Sequence, residues 1–178
     1  MAILPIRVFG DPVLRERARP IGPPTELHRA LARNMIETMR EAPGVGLAGP
    51  QVGVLERIFV WEVDDRHGAL IDPVIESRSD QSVEAEEGCL SVPGLYYPVA
   101  RATEVVVTGV EESGAPVRLE AEGLLARVCQ HEIDHLDGIL FIDRLPEELR
   151  GEALRQLREE MLGLPSKVPA RREPEETL

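Results

Sequence analysis

The chain has 178 residues, 43% of them hydrophobic, which suits one domain with a core of its own and needs no disulfide or metal staple. Its formal charge of −12 and pI near 4.8 argue against general binding to a phosphate backbone. Two cysteines, Cys89 and Cys129, do not make a disulfide framework and fit a reducing compartment. The N-terminus lacks the charged segment and apolar run of a signal peptide, and no stretch approaches the roughly 18 apolar residues of a membrane span. The expectation is a cytoplasmic protein that does not engage membranes.

In chain order, Asp11-Pro12 reads as the capped start of a short helix. A longer helix is expected from Thr25, with Leu27, Leu31, Met35 and Met39 on one apolar face, ending at Pro43-Gly44. Residues 44–53 are too glycine-rich for a helix and read as an ordered loop whose backbone comes close to something. Strands are expected at Arg57–Val63, Ala69–Ile75, Glu104–Val110 and Pro116–Ala121, the last two joined by a turn at Glu112-Ser113-Gly114. The run Leu124–Leu136 reads as a buried central helix, because its first two turns are apolar apart from Arg127, and Asp137-Gly138 closes it. A last helix is expected from about Glu147 to Leu162, with Leu149, Ala153, Leu157 and Met161 on one face. Residues 163–178 are charged and proline-containing and read as a flexible tail, leaving 1–162 as the one folded domain. The expected fold is α+β: short, mostly antiparallel sheets packed around a central metal-binding helix, with a C-terminal helix.

His131-Glu132-Ile133-Asp134-His135 is an H-E-x-x-H pattern on the central helix. Residues four apart share a helix face, so both imidazoles can reach one ion, and Glu132 can reach a water beside it. A catalytic ion generally takes a third protein ligand. By position that ligand is either a downstream carboxylate (Glu147, Glu148, Glu152 or Glu159), as in a zinc endopeptidase, or the thiolate of Cys89, which follows Gly88 in a turn. Cys129, two positions before His131, points to another face and reads as core filler.

Three segments carry a resemblance. Gly44-Val45-Gly46-Leu47-Ala48-Gly49-Pro50-Gln51-Val52-Gly53, Glu87-Gly88-Cys89-Leu90-Ser91-Val92-Pro93 and Gln130-His131-Glu132-Ile133-Asp134-His135-Leu136-Asp137-Gly138 resemble, in order and spacing, the signature motifs of bacterial peptide deformylases. Two departures are visible: Gly49 stands where the family usually has Ala, and Asp72 where Asn usually precedes Pro73. The resemblance implies a hydrolase that removes the formyl group from the N-terminal methionine of nascent polypeptides, releasing formate. It implies one divalent ion per chain, Fe²⁺ first and Zn²⁺, Ni²⁺ or Co²⁺ as alternatives, held by Cys89, His131 and His135. It further implies Glu132 as the acid–base group, with Gln51 and the Leu90 backbone N–H stabilising the oxyanion.

Around that centre, Val45 and Gly46 are candidate contacts for the peptide backbone. Leu124 and Val128 share a helix face with the histidines and are candidates for an apolar methionine pocket. Asp134 and Arg101 are a candidate pair bracing the helix against the Cys89 loop. Arg150, Arg155 and Arg158 form a candidate basic strip on the last helix for transient contact with the ribosome.

Overall fold

The computed structural model describes residues 2–163, so the proposed tail lies, apart from Gly163, outside the described residues. In chain order the elements are α1 (Glu26–Glu41), β1 (Gly46–Ala48), β2 (Ile58–Val63), β3 (Arg66–Arg78), β4 (Ser82–Cys89), β5 (Val92–Ala102), β6 (Glu104–Val110), β7 (Pro116–Glu122), α2 (Gly123–Leu136) and α3 (Glu147–Met161). Among the described residues, five strands form an antiparallel sheet in the order β1-β2-β3-β6-β7, while β4 and β5 pair only with each other. The fold is α+β, as expected. Among the described residues, no helix is long and apolar enough to cross a membrane.

Strand β2 shows how this sequence organises the core. It reads Ile58-Phe59-Val60-Trp61-Glu62-Val63, and side chains on a strand alternate between faces. Phe59, Trp61 and Val63 pack with Leu125, Ala126, Val128, Cys129, Ile133 and Leu136 of α2. Ile58 and Val60 pack on the other side with Ala32, Met35 and Met39 of α1. One near-continuous apolar strand is thus covered on both faces by helices. A third cluster joins Cys89, Val92, Leu95, Tyr97 and Val99 of the β4–β5 hairpin to Phe141, Ile142, Ala153 and Leu157 near and on α3. The central helix and the Cys89 hairpin therefore belong to different packing units, and their seam is where the expected site lies.

Several expectations need correction. Leu27 is 80% exposed and Met161 65% exposed, so both apolar stripes are shorter than their periodicity suggested, and burial on α1 runs through Ala32, Met35, Thr38 and Met39. Residues 44–53 are not a plain loop: they contain β1 and a 3₁₀ turn over Gly49–Val52. The hairpin β4–β5 was not anticipated. Its first strand exposes residues 82–86 and carries three glutamates, and its second contains Pro93, Gly94 and Pro98, all of which weaken a strand signal. β3 extends on both sides of the expected Ala69–Ile75 and carries register breaks between Ile71 and Val74 and between Ile75 and Ser77. The helices fall within one residue of their expected ends: Thr25 precedes α1, its N–H donating to His28 Nδ1 at 2.9 Å, and Asp11 caps the short turn at Pro12–Arg15.

Both departures from the motif pattern have a structural reason. A Cβ on Gly49 would lie 2.7 Å from the Glu56 carbonyl oxygen and 2.8 Å from that of Val54. Asp72 sits at the first register break of β3 with φ of 50°, a conformation Asp tolerates better than most side chains. Its Oδ1 accepts from Ile21 N–H and its Oδ2 from Gly22 N–H, each at 2.8 Å. Two carboxylate oxygens serve two amides, whereas Asn has one acceptor oxygen and would turn N–H toward N–H.

Gly49→Ala is expected to lower stability by about 1–3 kcal/mol through backbone displacement, and Asp72→Asn by about 1–3 kcal/mol through a lost hydrogen bond to a charged acceptor. Urea unfolding of each variant checks this. Midpoints equal to that of the parent chain would refute both explanations.

Candidate metal centre

β4 ends in Cys89, and a tight turn brings Val92 opposite it. Ser91 N–H points back at the Cys89 Sγ at 3.4 Å. From the other side, α2 is buried without interruption from Leu125 to Leu136, so His131 and His135, one turn apart, are both enclosed. Their rings meet edge to face with centroids 4.9 Å apart. Cys89 Sγ lies 3.2 Å from His135 Nε2. One donor atom each from Cys89, His131 and His135 lie within 4.8 Å of one another, and among the described residues no other group of three or more such side chains does so. Glu147, Glu148, Glu152 and Glu159 are not in the cluster; Glu152 instead accepts from Tyr97 Oη at 3.0 Å. Cys129 is buried in the main core, as expected, where burial pushes its thiol up to about 12.

Glu87, which carried no role in the sequence reading, organises the centre. Its side chain is wholly buried, and its Oε2 lies 3.1 Å from His131 Nδ1. Arg101 donates to both its oxygens, at 2.8 and 3.0 Å, and Arg127 donates to Oε1 at 2.7 Å. Burial alone would raise this carboxyl, but the hydrogen bonds from His131 and Arg101 outweigh it and hold Glu87 well below the usual carboxylate range. A carboxylate there accepts a hydrogen bond from the Nδ1–H of His131 and leaves the Nε2 lone pair free. The Arg101–Asp134 pair expected from sequence is present at 2.7 Å, and Arg144 extends it at 2.6 Å.

The remaining groups explain what the centre can hold. His131 Nε2 and both oxygens of Glu132 are buried without a hydrogen-bond partner among the described residues. Burial keeps His135 well below its ordinary value and hence neutral. Burial raises the Cys89 thiol, and burial with the charge of Glu87 raises Glu132. A buried thiol, two imidazoles with available nitrogens and an unpartnered carboxyl are a donor set that a divalent first-row cation fits.

Gln51 is anchored by its carbonyl end, which accepts from Ala48 N–H at 2.7 Å, so its amide Nε2 points at Cys89 Sγ at 3.6 Å. Leu90 lies half-buried beside Gly44, where an added Cβ would come within 2.8 Å of its Cδ1. Gly46 is pressed against the base candidate: a Cβ there would lie 2.9 Å from Glu132 Cδ and closer still to Oε1. Only a glycine leaves the carboxylate its position. Val45 and Val128 are buried in the main core and Leu124 packs half-buried against it, so the structure brings all three to one apolar cluster.

The profile of the family described as polypeptide deformylase matches residues 3–150. The chain belongs to the polypeptide deformylase family. It is 53% identical over 159 residues to a peptide deformylase of Acidothermus cellulolyticus, covering 89% of this chain and 88% of the relative. Its fold resembles the peptide deformylase of Thermus thermophilus, with TM-score 0.84 and 50% identity over 90% of this chain and 96% of that one. It also resembles that of Synechococcus elongatus solved with actinonin, with TM-score 0.82 and 42% identity over 87% and 86% of the two chains. This deformylase removes the N-formyl group from nascent peptides, and its Cys89–His131–His135 cluster is a metal site of the kind that reaction uses.

Gly46→Ala is expected to displace the Glu132 carboxylate and lower the deformylase's kcat about 10²-fold, a typical penalty for a misplacement of about an ångström. Metal content should stay at the parental level, because no donor atom is touched. Parallel kinetics and elemental analysis check this, and a near-parental kcat would show that Glu132 does not need the space.

Proposed function

We propose that Cys89, His131 and His135 hold one divalent cation and that Glu132, Gln51 and the Leu90 backbone N–H carry out the deformylation around it. The observation that supports this most directly is the convergence of three buried donor atoms within 4.8 Å, beside a buried carboxyl with no other partner among the described residues. When bound, the cation supplies Lewis acidity that polarises the formyl carbonyl and eases deprotonation of water. Glu132 accepts the proton of the attacking water and passes it to the departing amine nitrogen. The formyl C–N bond breaks, giving a free N-terminal amine and formic acid, which releases the second water proton to leave as formate. The carbonyl oxygen becomes an oxyanion on the way. Gln51 Nε2 and the Leu90 N–H donate to it, and the fixed carbonyl end of Gln51 holds its amide ready without reorganisation.

Val45 and Gly46 meet the peptide backbone, and Leu124 and Val128 give the methionine side chain an apolar wall. Fe²⁺ is the resident ion by family resemblance, with Zn²⁺, Ni²⁺ and Co²⁺ compatible with the same ligands; elemental analysis of protein purified under nitrogen distinguishes them. The reading assigns the enzyme to the cytoplasm, where thiols such as Cys89 stay reduced and nascent chains emerge.

A finer partner is the ribosome, met transiently by α3. Arg155 and Arg158 are exposed on that helix, while Arg150 also reaches Asp143 at 3.2 Å. Co-sedimentation with ribosomes that weakens as salt rises is expected, and its absence at low salt would remove this contact.

The catalytic reading predicts that kcat/KM for formyl-Met-Ala exceeds that for acetyl-Met-Ala by at least roughly 5- to 150-fold, because an extra methyl overfills a packed site by about 1–3 kcal/mol. Glu132→Ala should keep the metal and lose about 10²–10⁴-fold in kcat. Equal rates on the two peptides, or a metal-loaded Glu132→Ala chain with parental kcat, would contradict it.

A further inference from the structure

Arg127 is the one polar residue in the first two turns of α2, and nothing in the reaction uses it. It is nonetheless 6% exposed. Burying a guanidinium is costly unless its donors are matched, and here they are matched almost entirely by the Cys89 hairpin. Nη2 donates to the Val83 carbonyl at 2.9 Å, and Nη1 to the Val99 carbonyl at 2.8 Å, with a longer contact to the Ala85 carbonyl at 3.4 Å. Nη1 also reaches Glu87 Oε1 at 2.7 Å. Val83, Ala85 and Glu87 recur every second residue along β4, and Val99 lies opposite Ala85 on β5. One side chain from the histidine helix thus grips both strands of the hairpin that ends in Cys89.

Neutralising Glu87 accounts for only one of these bonds. Arg101, on β5, already donates to both Glu87 oxygens. A second arginine whose other bonds go to backbone carbonyls is suited to fixing the position of a strand. The hairpin needs such a tie, because it pairs with no strand of the main sheet and packs in a separate apolar cluster. Gln130, also on α2, makes a second tie by bonding the Ala102 N–H at 3.1 Å and its carbonyl at 3.0 Å, at the far end of β5. Arg127 is the tie that reaches along β4, the strand that delivers the thiol.

We infer that Arg127 is a positioning residue that locks the β4–β5 hairpin onto α2 and thereby keeps Cys89 in register with His131 and His135. This rests on the reading of Cys89 as a ligand. Loss of the guanidinium frees the hairpin to swing from the helix, so the thiol leaves a bound cation sooner while α2 and the main core stay folded. Cys129, buried in that core on the same helix, is a built-in reporter of global opening.

The test uses full-length protein loaded with Co²⁺ and challenged with a chelator and iodoacetamide, comparing the parent, Arg127→Met, Arg127→Lys and the surface control Arg118→Met. Peptide mass spectrometry follows the two thiols separately. Arg127→Met should release Co²⁺ about 10–100-fold faster, the usual cost of losing a partner outside the ligand shell. Its Cys89 should be alkylated well before Cys129. Arg127→Lys keeps the charge but cannot span both strands, so it should also release faster than the parent, and it carries the test if Arg127→Met does not fold.

Parental release rates in both variants would overturn the inference, as would equal alkylation of Cys89 and Cys129, which would mean general destabilisation. Parental release in Arg127→Lys beside fast release in Arg127→Met would overturn the strand-bridging role in favour of charge alone. If Co²⁺ does not protect Cys89 in the parent chain, the ligand reading itself fails; protection in the parent with unaltered release in the variants fails Arg127 only.

Discussion

The arrangement depends on one buried carboxylate. Glu87 lies two residues before Cys89 on β4 and touches His131 on α2, so it links the strand that carries the thiol to the helix that carries the imidazoles. An ionised carboxylate with no exposure is tolerable only with strong donors around it, and Arg101 and Arg127 supply charged ones beside the ring N–H of His131. Breaking such a buried pair leaves an uncompensated charge and typically costs about 3–5 kcal/mol. Hairpin and helix are therefore held in a fixed relation by a network whose partial loss is expensive, and the relation sets the distance between sulfur and nitrogen.

The centre lies on a seam. The histidines come from an element packed in the main core with β2, and Cys89 from an element packed with Phe141, Ile142 and α3. Apolar burial holds each unit together without specifying how the two meet, since it is non-directional. Directional contacts do that: Arg127 and Gln130 to hairpin carbonyls, Arg101 to Asp134, and Glu87 to His131. Glu87 and Asp134 are matched by Arg101 and Arg127, with Arg144 on the surface side. That leaves Cys89 and Glu132 as the acidic groups of the centre with no ion-pair partner among the described residues. The same economy of space sets the Glu132 carboxyl, which occupies the room made by the missing side chain of Gly46.

Much of this was legible in the sequence, and the unread parts share a cause. The period of Leu124–Leu136 and the H-E-x-x-H spacing located the buried helix and its two imidazoles, because a helix face is a local property. The third ligand was not local. Read from the residues alone, a downstream carboxylate and the Cys89 thiolate both remained open, and the motif resemblance chose Cys89. The β4–β5 hairpin went unread because its glutamates and prolines hide the alternation, and its reason for existing lies in contacts with α2 across some forty residues. Arg127 was visible only as an exception on an apolar helix. Three of its partners are backbone carbonyls, which leave no mark in a sequence. Leu27 and Met161 show the converse error: they satisfy a helical period but lie in the end turns of their helices and are largely exposed. Gly49 and Asp72 read as departures from a pattern and prove to be fitted to close backbone contacts.

The central claim is that the β4–β5 hairpin and α2 meet to place one sulfur and two imidazole nitrogens on a single ion. X-ray absorption at the metal edge of the Zn²⁺-loaded protein tests it most directly. The account predicts one sulfur at about 2.3 Å and two imidazole nitrogens at about 2.0–2.1 Å, with the sulfur shell lost in Cys89→Ala. A first shell of nitrogen and oxygen alone in the parent chain would contradict it.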